Sequence, residues 1–363
     1  MTTPASAPPR SAASVQPAVR RHALPGPGAI LGAAVLLVVV AAIALTQGAA
    51  DIPPRTALGL LAERLPFVDL DLNVPATWDR IVIDVRLPRV LAAGIVGAAL
   101  AWSGAAYQGV FRNPLAEPFL LGVASGSALG AAIAIISPLP TDAYGFGWVP
   151  LFAFAGGLTS VVLVYLLASS GPAIDNATLI LGGVALSAVA TAVTSFILLT
   201  GGEEVRPLFS FLFGGFNTAS WERIAVALPY LLAGSAVVSL HARVLNVLQL
   251  DEEQASQLGV DVTRTKLIVL GGASLVAATA VAVAGIIGFV GLVVPHIVRM
   301  LFGSDYRRLL PFAALSGASL LILTDLLARS ILDPQEVPVG IITAMLGGPF
   351  FLYLLRTRRA GGM

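Results

Sequence analysis

Asp251, Glu252 and Glu253 stand together in Leu250–Lys266, LDEEQASQLGVDVTRTK, which also holds the only lysine of the chain. Long runs of Leu, Val, Ala, Ile and Gly flank this polar stretch on both sides. Asp251 can cap a helix with Gln254 as its reciprocal partner, and Gly259 can end it. The stretch therefore reads as a short polar helix of about two turns: a solvated loop, or a docking surface for a soluble partner. Nucleotide chemistry is excluded in its common form. The chain has no G-x-x-x-x-G-K-[ST] loop, because its lysine sits in TRTKL. Any ATP that drives this protein is hydrolysed by another chain.

The other candidates are fewer. Arg86 and Arg89 bracket Pro88 ahead of an apolar run, which suits interfacial arginines or a basic docking point. Arg112–Pro118 reads RNPLAEP, in which Asn113 before Pro114 suggests a helix start. Asp325 and Arg329 are four residues apart and can pair on one helix face. His296 follows Pro295, where a kink frees carbonyl groups. A lone histidine there more often satisfies backbone than binds a metal or haem. Asp325 and His296 are the conspicuous polar groups within apolar runs, too few for an intramembrane enzyme or a proton relay. With no cysteine, thiolate chemistry is absent.

The elements that must position these groups are membrane helices. Hydrophobic residues make up 57% and charged residues 11% of the 363, with a mean hydropathy of +0.89. A soluble domain carries about 25% charged residues, so this chain is a polytopic membrane protein. Net charge is +1, which shows no nucleic-acid footprint. At about 20 apolar residues per span, helices are predicted at 29–47, 88–110, 118–138, 148–169, 177–200, 224–241, 266–284, 286–302, 309–332 and 337–355. Leu267–Phe302 would be about 54 Å as one helix, too long for a core of about 30 Å, so it is divided near Gly285, Gly288 and Gly291. The fold class is thus all-α with ten spans. Residues 1–28, rich in Pro, Ala and Ser, read as a disordered cytoplasmic tail, 29–356 as the transmembrane domain, and 357–363 as a second tail.

An even number of spans puts both termini on one side. That side then carries 13 of the 21 basic residues, against 8 opposite, so the termini and Leu250–Lys266 are expected to be cytoplasmic.

Taken together, these stretches resemble the FecCD-type permease family of ATP-driven importers for ferric siderophores, haem and cobalamin. The matching segments include RLPRVLAAGIVGAALAWSGAAYQGVFRNPLAEPFLLGVASGSALG at 86–130, LDEEQASQLGV at 250–260 and GIIGFVGLVVPHIVRM at 285–300. LSGASLLILTDLLAR at 315–329 and EVPVGIITAMLGGPFFLYLL at 336–355 extend them, in family order. The resemblance implies a ten-helix, cobalamin-permease-like subunit pairing with a second copy or a paralogue in a bacterial or archaeal cell membrane. It implies two cytoplasmic ATPases carrying ATP and Mg, an extracytoplasmic substrate-binding protein, and no cofactor on this chain. Leu250, Asp251, Glu252, Glu253, Ala255, Leu258 and Gly259 would form the helix that couples to the ATPase. Arg86, Arg89 and Arg329 match arginines that meet carboxylates of the binding protein. Asn113 and Leu115 match the cytoplasmic gate, and the second gate position falls on Asp175 and Asn176 in place of a Ser-Thr pair.

The expected mechanism is alternating access driven by the partner ATPases through the coupling helix. Ser187, Thr191, Thr194 and Ser195 are expected to give a smooth hydroxyl-lined wall for a bulky chelate. The first cargo reading is a ferric siderophore, the alternative cobalamin or haem. An ion-coupled secondary transporter is the rival class, and it would need the charged relay that the spans lack.

Overall fold

The computed structural model describes residues 27–48, 50–68, 70, 72, 74–139, 147–169, 175–332 and 335–360. Most of the expected N-terminal tail and residues 361–363 lie outside this set. Among the described residues, seven helices are long and apolar enough to cross a membrane, and three shorter apolar helices accompany them. The long ones include α1 (Pro27–Thr46), α4 (Leu87–Phe111), α6 (Trp148–Ala168), α7 (Asn176–Thr200) and α9 (Trp221–Leu240). α12 (Val262–Ala284) and α14 (Tyr306–Ser330) complete them, and the short ones are α5 (Val123–Ile136), α13 (Val290–Phe302) and α15 (Val339–Ala360). Together they occupy the ten predicted positions.

Leu267–Phe302 is broken as its length requires. Gly285 adopts φ +71 and Phe289 φ 68, so α12 stops and α13 starts afresh. Buried irregular backbone survives only if its polar groups are satisfied by protein. Here Ile286 N–H donates to Phe211 O, Gly215 N–H to Ala284 O and Val339 N–H to Gly214 O. The acceptor Phe211 belongs to α8 (Arg206–Phe213), a short helix that the apolar pattern did not reveal. α8 thus serves as the hydrogen-bonding wall of the break.

The bundle is built on α4 and α12, the most enclosed of its long helices. α4 is preceded by α3 (Ala76–Arg80) and a π-helical turn, Ile81–Arg86, which makes 76–111 one continuous helical run. A Cβ on Gly104 would overlap the carbonyl of Gly291, and one on Gly97 that of Gly317. Glycine at these crossings lets α4 touch α13 and α14 backbone to backbone, the contact that drives helix association in lipid. Buried hydroxyls and amides add to it. Ser103 donates to Ala273 O, Gln108 to Leu292 O, and Tyr107 shares a 2.6 Å hydrogen bond with Ser274.

α2 (Pro54–Ala62) closes the loop between α1 and α4, and α10 (Ala242–Val247) follows α9. α11 (Glu252–Gln257) is the polar helix, slightly shorter than the two turns expected. It packs against the end of α4 and the first turns of α12.

Candidate functional site

Two clusters occupy opposite ends of the bundle. At the end that carries the polar helix, α4 finishes at Arg112 in the left-handed region, φ 50, and the chain turns sharply. Asn113 then accepts from Leu115 N–H through its side chain and from Ala116 N–H through its carbonyl. This Asx turn replaces the helix start expected at Asn113–Pro114, and the helical turn begins at Pro118 instead. Asn competes for its own downstream N–H groups, which favours turns over helix interiors.

Asp251 caps α11 as expected, accepting from Glu252 N–H, and Gly259 ends the segment at φ +84. Ala255 is fully buried against the core, while Leu250 and Leu258 are exposed, Leu258 by 65%. Glu253 is also exposed. The helix is therefore anchored on one face and presents leucine and carboxylate on the other.

Glu252 is the anchor. Lys266 Nζ lies 2.9 Å from Glu252 Oε1 and 3.0 Å from Asn176 Oδ1, and its side chain is only 3% exposed. Arg112 donates to the same Glu252 oxygen at 3.2 Å and to Leu250 O at 3.0 Å. The Glu252 carboxylate thus ties the polar helix to the end of α4 and the first turns of α12, and Lys266 carries the link on to the first residue of α7. In the sequence Lys266 rules out a phosphate loop and adds to the basic count of its side, but its partners are not visible. Its place one turn inside an apolar span, where an ammonium must find partners, was the available signal. Asp175 takes the N-cap position of α7 without a side-chain cap bond.

Glu117, in the loop before Pro118, has its carboxyl pushed up to about 7 by burial. A folded carboxyl with a raised pKa holds a proton that the unfolded chain releases near 4.5, so stability falls as pH rises from about 4.5 to 7. Thermal melting in detergent between pH 5 and pH 8 is expected to show this decline. Glu117→Gln is expected to flatten it.

The hydroxyl wall on α7 divides. Thr191 and Ser195 are exposed, whereas Ser187 is half-buried and bonded to Ser125 at 2.9 Å. Thr194 is only 4% exposed and donates to Ala190 O, so it does not line a wall. A helix face spans about 100°, and Thr194 falls on the inward side.

At the opposite end the three arginines gather, with their charges directed into the protein. Asp325 is 1% exposed, and it pairs with Arg89 at 2.9 Å and with Arg329 at 3.2 Å. The expected i, i+4 pair is therefore present, inside a larger network. Arg89 also makes a bidentate contact to Glu336, at 2.9 and 3.0 Å. Arg86, buried at the end of the π turn, donates to Leu45 O and Ala50 O. Arg329 donates to Ala44 O and Gln47 O on the same segment. Arg86 and Arg329 thus grip the exit of α1, and Arg89 binds α4 to α14 and to the loop before α15. Glu336 escaped sequence reasoning, because its partner lies 247 residues away.

His296 is buried beside Phe350, their rings 6.3 Å apart and edge-on. Among the described residues, no three His, Asp or Glu side chains stand together as a metal site would need.

The profile of the FecCD transport family matches residues 36–357. The chain belongs to the FecCD transport family. A cobalamin import system permease protein, BtuC, from Halobacterium salinarum is 48% identical over 289 residues, 80% of this chain and 77% of its own. The hemin transport system permease protein HmuU of Yersinia pestis is 42% identical over 78% of this chain and 85% of its own. A solved structure described as an inward-facing metal-chelate type ABC transporter superposes with a TM-score of 0.78 at 34% identity. It covers 92% of this chain and 100% of its own. These likenesses agree with the all-α, ten-helix architecture of this FecCD-family chain.

Proposed function

We propose that this FecCD-family chain is the permease subunit of an ATP-binding-cassette importer that moves a bulky metal chelate into the cytoplasm. The observation that carries the reading is α11, a polar helix held by Glu252, Arg112 and Lys266 to three bundle elements while Leu258 stays exposed. A solvated loop has no use for an exposed leucine on a rigid mount. A surface that seats in a partner ATPase does. The relatives named above support the importer class, and permease pairs in such systems support a dimer with a second copy or a paralogue. The excess of basic residues on the terminus side supports cytoplasmic termini. A ferric siderophore is the first cargo reading. Cobalamin or haem is the second, favoured by what the two named permeases carry.

Docking of a binding protein on Arg89 would have to compete with Asp325 and Glu336, which already hold it. The test is ATP hydrolysis by the permease co-purified with its ATPase in lipid, with binding protein loaded with each cargo in turn. Cargo-loaded binding protein is expected to stimulate hydrolysis. Arg89→Gln, in a complex with normal basal hydrolysis, is expected to abolish most of the stimulation. Uptake that persists on an ion gradient without any ATPase would overturn the reading.

A further inference from the structure

A cavity of about 300 Å³ opens among the ends of α5, α6, α9 and α12 and the short helix α8. Its polar lining is Ser210, Asn217, Thr218 and Arg223, and the rest is apolar. Arg223 donates to Thr218 Oγ1. Among the described residues no carboxylate comes within ion-pair distance of it. An arginine at a helix end in a membrane protein is costly unless it meets an anion or water.

A second, smaller cavity continues the first. It is lined by Leu151, Phe154, Val226, Tyr230, Thr279 and Ala282. On each of the three helices these residues continue the lining toward the middle of the helix, from one residue to about two turns further on. On α6, Val149 and Pro150 give way to Leu151 and Phe154. On α9, Arg223 gives way to Val226 and Tyr230, and on α12, Ala284 gives way to Thr279. Ala282 borders both spaces. From Arg223 to Tyr230 the groove descends about 10 Å at the helical rise. Leu151, Val226 and Tyr230 are each more than two-fifths exposed, so the groove faces the bilayer side of α6 and α9.

We propose that the Arg223 cavity and this groove bind one anionic glycerophospholipid. The phosphate sits on Arg223, Asn217 and Thr218, and an acyl chain lies between α6 and α9. The occupant is a lipid rather than a free anion because Arg223, Val226 and Tyr230 follow one another along α9, which sets the cation at the head of the apolar groove. A headgroup at the interface with its chain directed inward meets both at once. The site is independent of the transport reading, since it uses neither the coupling helix nor the arginine cluster.

Native mass spectrometry of the full chain in detergent, titrated with phosphatidylglycerol, phosphatidylcholine or inorganic phosphate, tests it. One phosphatidylglycerol per chain is expected to be retained in preference to phosphatidylcholine. Arg223→Gln is expected to weaken that retention about fivefold, the worth of one arginine near an anionic headgroup. Arg223→Lys is expected to keep it. Val226→Trp, which fills the groove at an already exposed position, is expected to weaken both lipids. Equal retention of the two lipids by the wild-type chain, or no change in Val226→Trp, overturns the proposal. So does inorganic phosphate displacing phosphatidylglycerol at equal concentration, because that outcome makes the site one for a free anion.

Discussion

Asp325→Asn is expected to lower the stability of the folded bundle by about 3–5 kcal/mol, the cost of removing one partner from a buried ion pair. Asp325 is almost fully enclosed, and both arginines paired with it have side chains no more than 12% exposed. An asparagine of the same shape keeps one acceptor but withdraws the charge. Arg89 would retain Glu336, whereas Arg329 would be left with the backbone carbonyls of Ala44 and Gln47. Glu336→Gln is the contrasting case. Its side chain is 36% exposed, so its pair with Arg89 is worth about 0–1 kcal/mol. Thermal melting in one detergent compares the two variants. A loss at Asp325 no larger than at Glu336 would show that the network is not held by its buried carboxylate. The double variant Asp325→Leu with Arg329→Met removes both charges and is expected to recover much of the loss, since apolar isosteres often match a buried pair.

Lys266→Met is expected to uncouple ATP hydrolysis from transport, lowering cargo moved per ATP about tenfold while hydrolysis itself continues. Lys266 makes charge-assisted bonds to Glu252 on the polar helix and to Asn176 at the start of α7. Such bonds contribute about 1.5–3 kcal/mol, and 1.4 kcal/mol is a factor of ten in an equilibrium. The link joins the element that would receive the ATPase motion to the element the family resemblance marks as a gate. Methionine keeps the length and apolar stem but cannot hold either oxygen. Arg112 still binds Glu252, so the polar helix keeps its mount on α4 while losing the link that Lys266 makes to α7. The readout is the ratio of uptake to hydrolysis in proteoliposomes. An unchanged ratio would show that motion reaches α7 by another route. Exchange of the pair, Lys266→Glu with Glu252→Lys, is expected to restore part of the coupling.

The two ends of the molecule were legible in the sequence to different degrees. The polar helix was readable because local chemistry dictates it. Asp251 caps, Gly259 stops, and three acids cannot enter lipid. The division of Leu267–Phe302 was readable for a similar reason, since a bilayer core sets a maximum length and glycine marks where a chain can turn. The number of spans and their order followed from the same arithmetic. So did the pairing of Asp325 with Arg329, which needs only the helical repeat.

Tertiary structure decided what those residues are bound to. Arg89 meets Glu336 and Arg86 meets Leu45, each across a large sequence separation, and no periodicity encodes such contacts. The sequence placed three arginines at one end. Only the folded bundle shows that they grip α1 and α14, because a desolvated guanidinium must spend its donors on the nearest oxygens. Thr194 and Thr191 are equivalent in composition, but helix rotation against neighbours buries one and exposes the other. The sequence by itself determined the membrane class, the spans and the short polar helix, since solvation and chain geometry act residue by residue. The networks at Glu252 and Asp325 were decided by packing, which brings together groups that the chain keeps apart.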